Sequence, residues 1–206
     1  MAAAAAVQVS SASATITADC NFMAYLATAT LCLGLAPRSQ ILGQLQIGSS
    51  FTRDANTGQY WVKMLAEMSK NGKPTMFSLP LQMTAAFDYF LQVVRPRIVA
   101  SPATEVAQHQ YVFPKRNGSA PRSDFSSCTT TVSLQLIGRS VNAHAFRSAV
   151  ITAFYETGAS QSEMDTLASI MAHDTTTARA FYYRPQFAAA ASQSSERMLH
   201  CLGLSG

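Results

Sequence analysis

The last third of the chain contains side chains suited to phosphoryl transfer onto a tyrosine. His144 and Arg147 stand three residues apart, and His173 is followed nine residues later by Tyr182. In a helix, side chains three residues apart lie on one face, so His144 and Arg147 can act on the same group. A guanidinium and two imidazoles around a phosphate, with a phenol as nucleophile, would form a metal-free phosphodiester transferase. The nine-residue spacing is the reason to prefer Tyr182 to its neighbour Tyr183.

This order of residues resembles the catalytic domain of the tyrosine recombinases, the family of phage integrases, Xer-type resolvases and related eukaryotic transposon enzymes. The family's second motif is H-x-x-R, and its third is a histidine followed by the nucleophilic tyrosine. Its first arginine lies at a helix–helix corner reading roughly G-L-R-x-S-E-L, which residues 34–45 resemble with one residue inserted before Arg38 and Gln40 in place of glutamate. The resemblance spans roughly residues 20–185, and it departs from the family at Ala172, where a glycine is common.

The family's catalytic lysine lies in a β-hairpin, often in an S-K-T-G-type turn. Residues 69–74 read Ser-Lys-Asn-Gly-Lys-Pro and are similar to that turn. Lys70 is preferred to Lys73 because it precedes the Asn-Gly pair, as the family's lysine precedes its own turn. The resemblance therefore implies that Lys70 protonates the departing 5′ oxygen, while Lys73 would contact DNA.

The resemblance also implies roles for the other matching residues. Arg38 and Arg147 would hold the two non-bridging oxygens of a scissile DNA phosphate. Tyr182 would attack phosphorus with His144 as proton acceptor, and His173 would hydrogen-bond the phosphate. The product would be a 3′-phosphotyrosine link, formed without metal, ATP or any other cofactor.

Sequence patterns predict the elements that position these residues. The apolar run of residues 21–35 predicts a buried helix, which Pro37 breaks so that Arg38 lies at the start of the next helix. Apolar residues in 59–68 and 75–79, with an Asn-Gly turn signal between them, predict a β-hairpin. Residues 81–94 have helical spacing and predict a helix that ends at the following Arg-Pro-Arg. The expected fold class is α+β, mainly helical, with a small antiparallel sheet.

A capping box predicts the helix that leads to His173. Ser160 and Glu163 match the S-x-x-E pattern, and Met164, Leu167 and Met171 follow at helical spacing. His173 is therefore expected at the C-terminal end of this helix.

The net charge of +4 permits a polyanionic partner without requiring one. Lys115, Arg116 and Arg122 lie in a segment, residues 101–127, that is predicted to be irregular. They are either contacts to the DNA backbone or charges of a solvated loop, and the sequence leaves both interpretations open. The resemblance implies double-stranded DNA as the partner, with self-association into dimers or tetramers on it.

Three segments are expected along the chain. Residues 1–18 are Ala- and Ser-rich and predict a disordered or extended lead-in, residues 19–186 the catalytic domain, and residues 187–206 a tail with a short helix and a possible protomer contact. The family usually adds an N-terminal domain that clamps DNA, so the chain is expected to be a fragment or a reduced relative. No membrane span is expected, because the apolar run of residues 21–35 is shorter than 18 residues.

The four cysteines, Cys20, Cys32, Cys128 and Cys201, have no C-x-x-C spacing. This pattern argues against a zinc site and favours reduced thiols in a reducing compartment. With a DNA substrate, the expected location is the nucleus or nucleoid.

Two alternatives to a recombinase stay open. One is a DNA-binding remnant that kept the fold and lost the chemistry. The other is a type IB topoisomerase, which shares the fold and the phosphotyrosine chemistry but usually has a different residue at the position of His144. Relaxation of a supercoiled plasmid without strand exchange would favour the topoisomerase.

Overall fold

The computed structural model describes residues 2–68, 72, 74–100, 109–119 and 122–171, with side chains from residue 14 onward. Over these residues the architecture is α+β, with seven α-helices and one antiparallel sheet of three strands. The predicted fold class is confirmed at this level. The elements in chain order are α1 (Ala2–Leu33), α2 (Ser39–Gln44), β1 (Phe51–Arg53), β2 (Tyr60–Met64), a 3₁₀ turn (Ala66–Met68), β3 (Thr75–Ser78), a second 3₁₀ turn (Leu81–Met83), α3 (Thr84–Tyr89), a π-helical turn (Phe90–Val94), α4 (Arg95–Val99), α5 (Phe125–Ile137), α6 (Ala143–Glu156) and α7 (Gln161–Ile170).

The sheet contains the predicted hairpin and one strand that the sequence did not reveal. β2 and β3 pair antiparallel with Val62 opposite Phe77, and β1 adds to the other edge of β2 with Phe51 opposite Val62. These three side chains are buried, as expected for the core face of a half-buried sheet. Lys70 and Lys73, in the connection between β2 and β3, lie outside the described residues.

Helix α1 begins at Ala2, so the prediction of a disordered or extended lead-in over residues 1–18 is wrong for the helical residues 2–18. Alanine has the highest intrinsic helix propensity, and an uncharged Ala-rich segment can extend a helix that is anchored further along the chain. The anchor is the buried part of α1, where Met23, Leu26 and Leu31 are almost fully enclosed. The predicted buried helix is thereby confirmed as part of a longer one.

One segment of α1, Ala14–Leu33, is long and apolar enough to cross a membrane. Of this window, 56% is buried inside the protein. A buried core helix can be as long and as apolar as a membrane span, so length and composition do not separate the two. The burial of this window favours a core helix.

The helix predicted to end before Arg95-Pro96-Arg97 continues through this sequence to Val99. Proline has no amide hydrogen and crowds the carbonyl four residues earlier in a regular α-helix. The chain accommodates Pro96 with the π-helical turn immediately before it, a common form of helix irregularity. As a result Arg97 reaches α1, where its Nε and Nη2 donate to the buried carboxylate of Asp19 at 2.8 and 2.6 Å.

Helix α5 was not predicted, since it begins inside the segment expected to be irregular and is rich in serine and threonine, which have modest helix propensity. Its threonine hydroxyls bond back to the helix itself: Thr129 donates to the Phe125 carbonyl at 2.7 Å and Thr130 to that of Ser126 at 2.9 Å. This self-bonding satisfies the hydroxyls without extra partners. Packing against α1 then stabilises a helix that propensity alone would not.

A run of aromatic side chains connects the sheet to α5. Phe51 stacks on Tyr60 at 4.9 Å between ring centroids and contacts Phe87 at the same separation. Phe87 contacts Phe113 at 6.4 Å, and Phe113 contacts Phe125 edge-on at 5.7 Å. Such pairs add to the stabilisation from area burial and have preferred geometries. The first residue of α5 is therefore fixed relative to the sheet.

Candidate active site

The corner that carries Arg38 has an unusual backbone. Leu35 and Ala36 both have positive φ, at 60° and 47°, which side-chain-bearing residues adopt at an energetic cost. Ala36 precedes Pro37, and a residue before proline is disfavoured in the right-handed helical region. The chain therefore turns sharply after α1, and Arg38 becomes the N-cap residue of α2, as the sequence predicted for a helix start.

Helix α2 packs closely on the residues that precede α5. A Cβ at Gly43 would collide with the carbonyl oxygen of Arg122 and would contact the Phe125 ring at 3.5 Å. Only a glycine permits this approach. The contact fixes the Arg38 helix against the start of α5.

Helix α6 carries the H-x-x-R pair and begins at a well-formed cap. The Asn142 side chain accepts a hydrogen bond from the Ala145 amide at 2.9 Å, as preferred N-cap residues do. The cap places His144 in the first turn of the helix, with Arg147 one turn later. Phe146 and Ile151 are buried and form part of the apolar face of this helix.

Arg147 is buried, with 2% of its surface exposed, and its guanidinium bonds to two backbone carbonyls. Nη1 donates to the Ala36 carbonyl at 2.8 Å, and Nη2 donates to the Met171 carbonyl at 2.7 Å. One side chain thus joins the strained corner before Arg38 to the end of α7. The sequence predicted a phosphate contact for Arg147 and did not predict this internal role.

Three of the six predicted catalytic residues line one cavity of about 200 Å³, which we name the His144 cavity. Arg38 enters it from the start of α2, and His144 and Arg147 enter it from α6. Ser126 lines the cavity from α5, and no sequence pattern predicted it. Gln40 entered the sequence analysis only as the residue that replaces the family's glutamate. The full lining set is Arg38, Ser39, Gln40, Ser126, Ala143, His144 and Arg147.

The pKa of His144 is lowered from its ordinary value near 6.5. Partial burial of the imidazole is the largest cause, and the positive charges of Arg147 and Arg38 act in the same direction. His144 is solvent-exposed as a residue, so its imidazole lies at the mouth of the cavity with only part of the ring desolvated. At neutral pH the imidazole is uncharged and can accept a proton.

We expect the imidazole of His144 to titrate below 6.5 by NMR and to move upward in Arg38→Gln. The substitution removes one of the positive charges that disfavour the imidazolium. The pKa of His144 is lower in the folded chain than in the unfolded chain, so at pH values between these two pKa values the unfolded chain binds more protons. Protonation of His144 therefore destabilises the fold as the pH falls below about 6.5. Arg139→Gln, which alters an exposed arginine outside the cavity, is the control and should leave the titration unchanged. A titration of His144 that is identical in Arg38→Gln and wild type would contradict the proximity of the two charges.

Comparison with protein-family models, with curated proteins and with solved structures found no match.

The other half of the predicted catalytic set, Lys70, His173 and Tyr182, lies outside the described residues. Met171, which bonds to Arg147, is the last described residue and precedes His173 by two positions. The capping box that begins α7 is confirmed, with Ser160 and Glu163 bonded to each other's backbone amides. The tail over residues 187–206 also lies outside the described part of the chain.

The predicted DNA-contacting residues Lys115, Arg116 and Arg122 lie together along one cavity, separate from the lining of the His144 cavity. Arg122 forms a bidentate ion pair with Asp124, at 2.6 and 3.1 Å, and Arg116 donates to the Thr17 hydroxyl at 3.0 Å. These two arginines are therefore ordered by neighbouring side chains. Lys115 and Arg116 are exposed and Arg122 is half-buried, so a contact to the DNA backbone and a solvated loop both stay predictions.

Among the described residues, no group of three or more His, Cys, Asp or Glu side chains is arranged to hold a metal ion. Cys20, Cys32 and Cys128 are buried free thiols, and Cys201 lies outside the described range. A metal-free reaction and a reducing compartment stay predictions.

Proposed function

We propose that this protein cleaves and rejoins DNA through a covalent 3′-phosphotyrosine intermediate, as an integrase-like recombinase. The observation that supports the proposal most is the convergence of Arg38, His144 and Arg147 on one cavity. His144 and Arg147 lie 106 and 109 residues after Arg38 in the sequence, so the motif order alone did not require the three side chains to meet. Two guanidinium groups beside a neutral imidazole are suited to a phosphate and to the proton of its attacking nucleophile.

The size of the His144 cavity favours a phosphate that belongs to a larger molecule. Its volume of about 200 Å³ is below the range of roughly 300–1,000 Å³ typical of sites that enclose a whole small ligand. A phosphodiester group can enter such a cavity while the rest of the DNA stays outside. The two carbonyl bonds of Arg147 do not by themselves prevent a phosphate contact, because a guanidinium carries five N–H donors.

In the proposed reaction the Tyr182 phenol oxygen attacks phosphorus, and its proton passes to His144. The bond from phosphorus to the 5′ oxygen breaks, and Lys70 gives that oxygen a proton. Arg38 and Arg147 offset the negative charge that develops on the non-bridging oxygens, and His173 hydrogen-bonds the phosphate. A 5′ hydroxyl from a second strand then attacks the phosphotyrosine, which rejoins DNA and regenerates Tyr182.

The partners that follow from the proposal are double-stranded DNA and further copies of the chain assembled on it. Strand exchange needs two duplexes, so at least two active sites must act together. The nucleus or nucleoid is the corresponding location.

The test of the proposal is a set of nicked suicide DNA duplexes incubated with the protein in EDTA and analysed on a denaturing gel. We expect a covalent protein–DNA adduct at the 3′ end of the cleaved strand, because the nicked fragment diffuses away and the 5′ hydroxyl needed for reversal is lost. EDTA shows whether the reaction proceeds without divalent metal. Absence of an adduct over a broad library of sequences would count against cleavage.

A second candidate function is DNA binding without cleavage. The observation in its favour is the internal role of Arg147, since a buried guanidinium bonded to backbone carbonyls has a structural reason to exist without catalysis. A mobility-shift measurement separates the two functions. Retarded DNA that releases all protein under denaturing conditions would favour the non-catalytic function.

A further inference from the structure

A larger cavity lies between α1, α5 and the residues that precede α5. Its volume is about 470 Å³, and we name it the Arg122 cavity. The first turn of α5 contributes to both cavities, with Ser126 in the His144 cavity and Ser127 in the Arg122 cavity. The lining residues used below are Asn21, Tyr25, Lys115, Arg116, Arg122 and Gln135.

Positive charge dominates the lining of the Arg122 cavity. Lys115, Arg116 and Arg122 contribute three cations, and Asp124 is the sole acidic residue among the described residues that line it. Asp124 is already bonded to Nε and Nη2 of Arg122, so it orients this guanidinium while offsetting only part of the charge. The cavity therefore has an excess of positive charge that an anionic ligand would balance.

Arg116 and Arg122 line the same cavity although they lie six residues apart in the segment that precedes α5. Burial raises the pKa of the Cys20 thiol, which also lines the cavity; the charges of Arg116 and Arg122 lower this pKa, and the charge of Asp19 raises it. Guanidinium groups that line one cavity are suited to hydrogen-bond a phosphate group.

The rest of the lining combines apolar residues, such as Ala24 and Val132, with uncharged polar ones. The Tyr25 hydroxyl donates to Oε1 of Gln135 at 3.0 Å, linking α1 to α5 along the cavity, and Asn21 lies one turn earlier on α1. Such groups can hydrogen-bond a sugar or a base. The volume also falls within the range of roughly 300–1,000 Å³ typical of small-ligand sites.

We propose that the Arg122 cavity binds a phosphate ester of about nucleotide size, with its phosphate between Lys115, Arg116 and Arg122. The ligand is either a free mononucleotide or one nucleotide of a nucleic acid strand, which share this chemistry. The proposal does not depend on DNA cleavage, because none of the residues assigned to that reaction lines this cavity.

The experiment is calorimetric titration of the full chain with deoxyadenosine 5′-monophosphate and, separately, with a short single-stranded oligonucleotide. The key variant is Lys115→Ala/Arg116→Ala, which changes two exposed residues and leaves the Arg122–Asp124 pair in place. We expect its dissociation constant to rise by about tenfold or more, as for loss of charge-assisted bonds to phosphate. Lys63→Ala/Arg139→Ala removes the same charge at exposed positions outside both cavities and should change affinity by less than about twofold.

The two titrations distinguish the sources of the ligand. Mononucleotide binding that weakens in the key variant supports a free-nucleotide site, and a loss confined to the oligonucleotide supports a strand-binding site. Three results would overturn the proposal: no binding of either probe by the wild type, equal weakening in the charge-matched control, or weakening in Arg38→Ala instead of the key variant. The last result would assign the phosphate to the His144 cavity.

Discussion

Tyr182→Phe is expected to abolish the covalent adduct between this protein and DNA while leaving DNA affinity unchanged. The substitution removes only the phenolic oxygen and retains the aromatic ring, so binding and folding should persist. Without that oxygen no phosphotyrosine bond can form. We expect adduct formation on a nicked suicide substrate to fall by at least about 1,000-fold, the order of loss when an enzyme loses its nucleophile.

Tyr183→Phe is the matched control, because it removes an identical hydroxyl from the adjacent residue. We expect its adduct yield to equal that of the wild type. The opposite pattern, with the adduct lost in Tyr183→Phe alone, would reassign the nucleophile. An adduct that survives in both variants would exclude a phosphotyrosine at either position.

The fold was predictable from sequence where a local pattern determines the structure. The Asn-Gly turn between apolar runs predicted the pairing of β2 with β3, and Ser160 with Glu163 predicted the start of α7. The failures occur where tertiary context overrides propensity. Helix α5 is rich in weak helix formers and depends on packing against α1, while Pro96 is accommodated by a π-helical turn that no local rule anticipates.

The candidate site was predictable to a similar extent. The spacing of His144 and Arg147 predicted one shared face if their segment was helical, and both lie on α6. The proline corner predicted that Arg38 lies at a helix start, which is its position in α2. The burial of Arg147 was not predictable, because its two acceptors lie 111 and 24 residues away in the chain. A pattern of residue types shows which side chains can bind phosphate, and only the fold shows what else they bind.

The two arginines of the His144 cavity are therefore expected to respond differently to the same substitution. Arg147→Met keeps a long apolar stem in the core but leaves the carbonyls of Ala36 and Met171 without this donor. Loss of a buried hydrogen-bond partner costs about 1–3 kcal/mol, so we expect the free energy of unfolding to fall by about 2–4 kcal/mol. Urea denaturation measures this change, and the same protein should also lose DNA cleavage.

Arg38→Met is the comparison that separates the phosphate contact from the structural role. Arg38 is only partly buried, at the N-cap of α2, so we expect its loss to change the free energy of unfolding by less than about 1 kcal/mol. Its loss should still reduce adduct formation by about 100-fold or more, since it removes a donor that stabilises transition-state charge. Wild-type stability in Arg147→Met would show that its two carbonyl bonds contribute little to the fold. Wild-type adduct formation in both variants would remove the arginines from the reaction, and the convergence of these residues on one cavity would then have only a structural meaning.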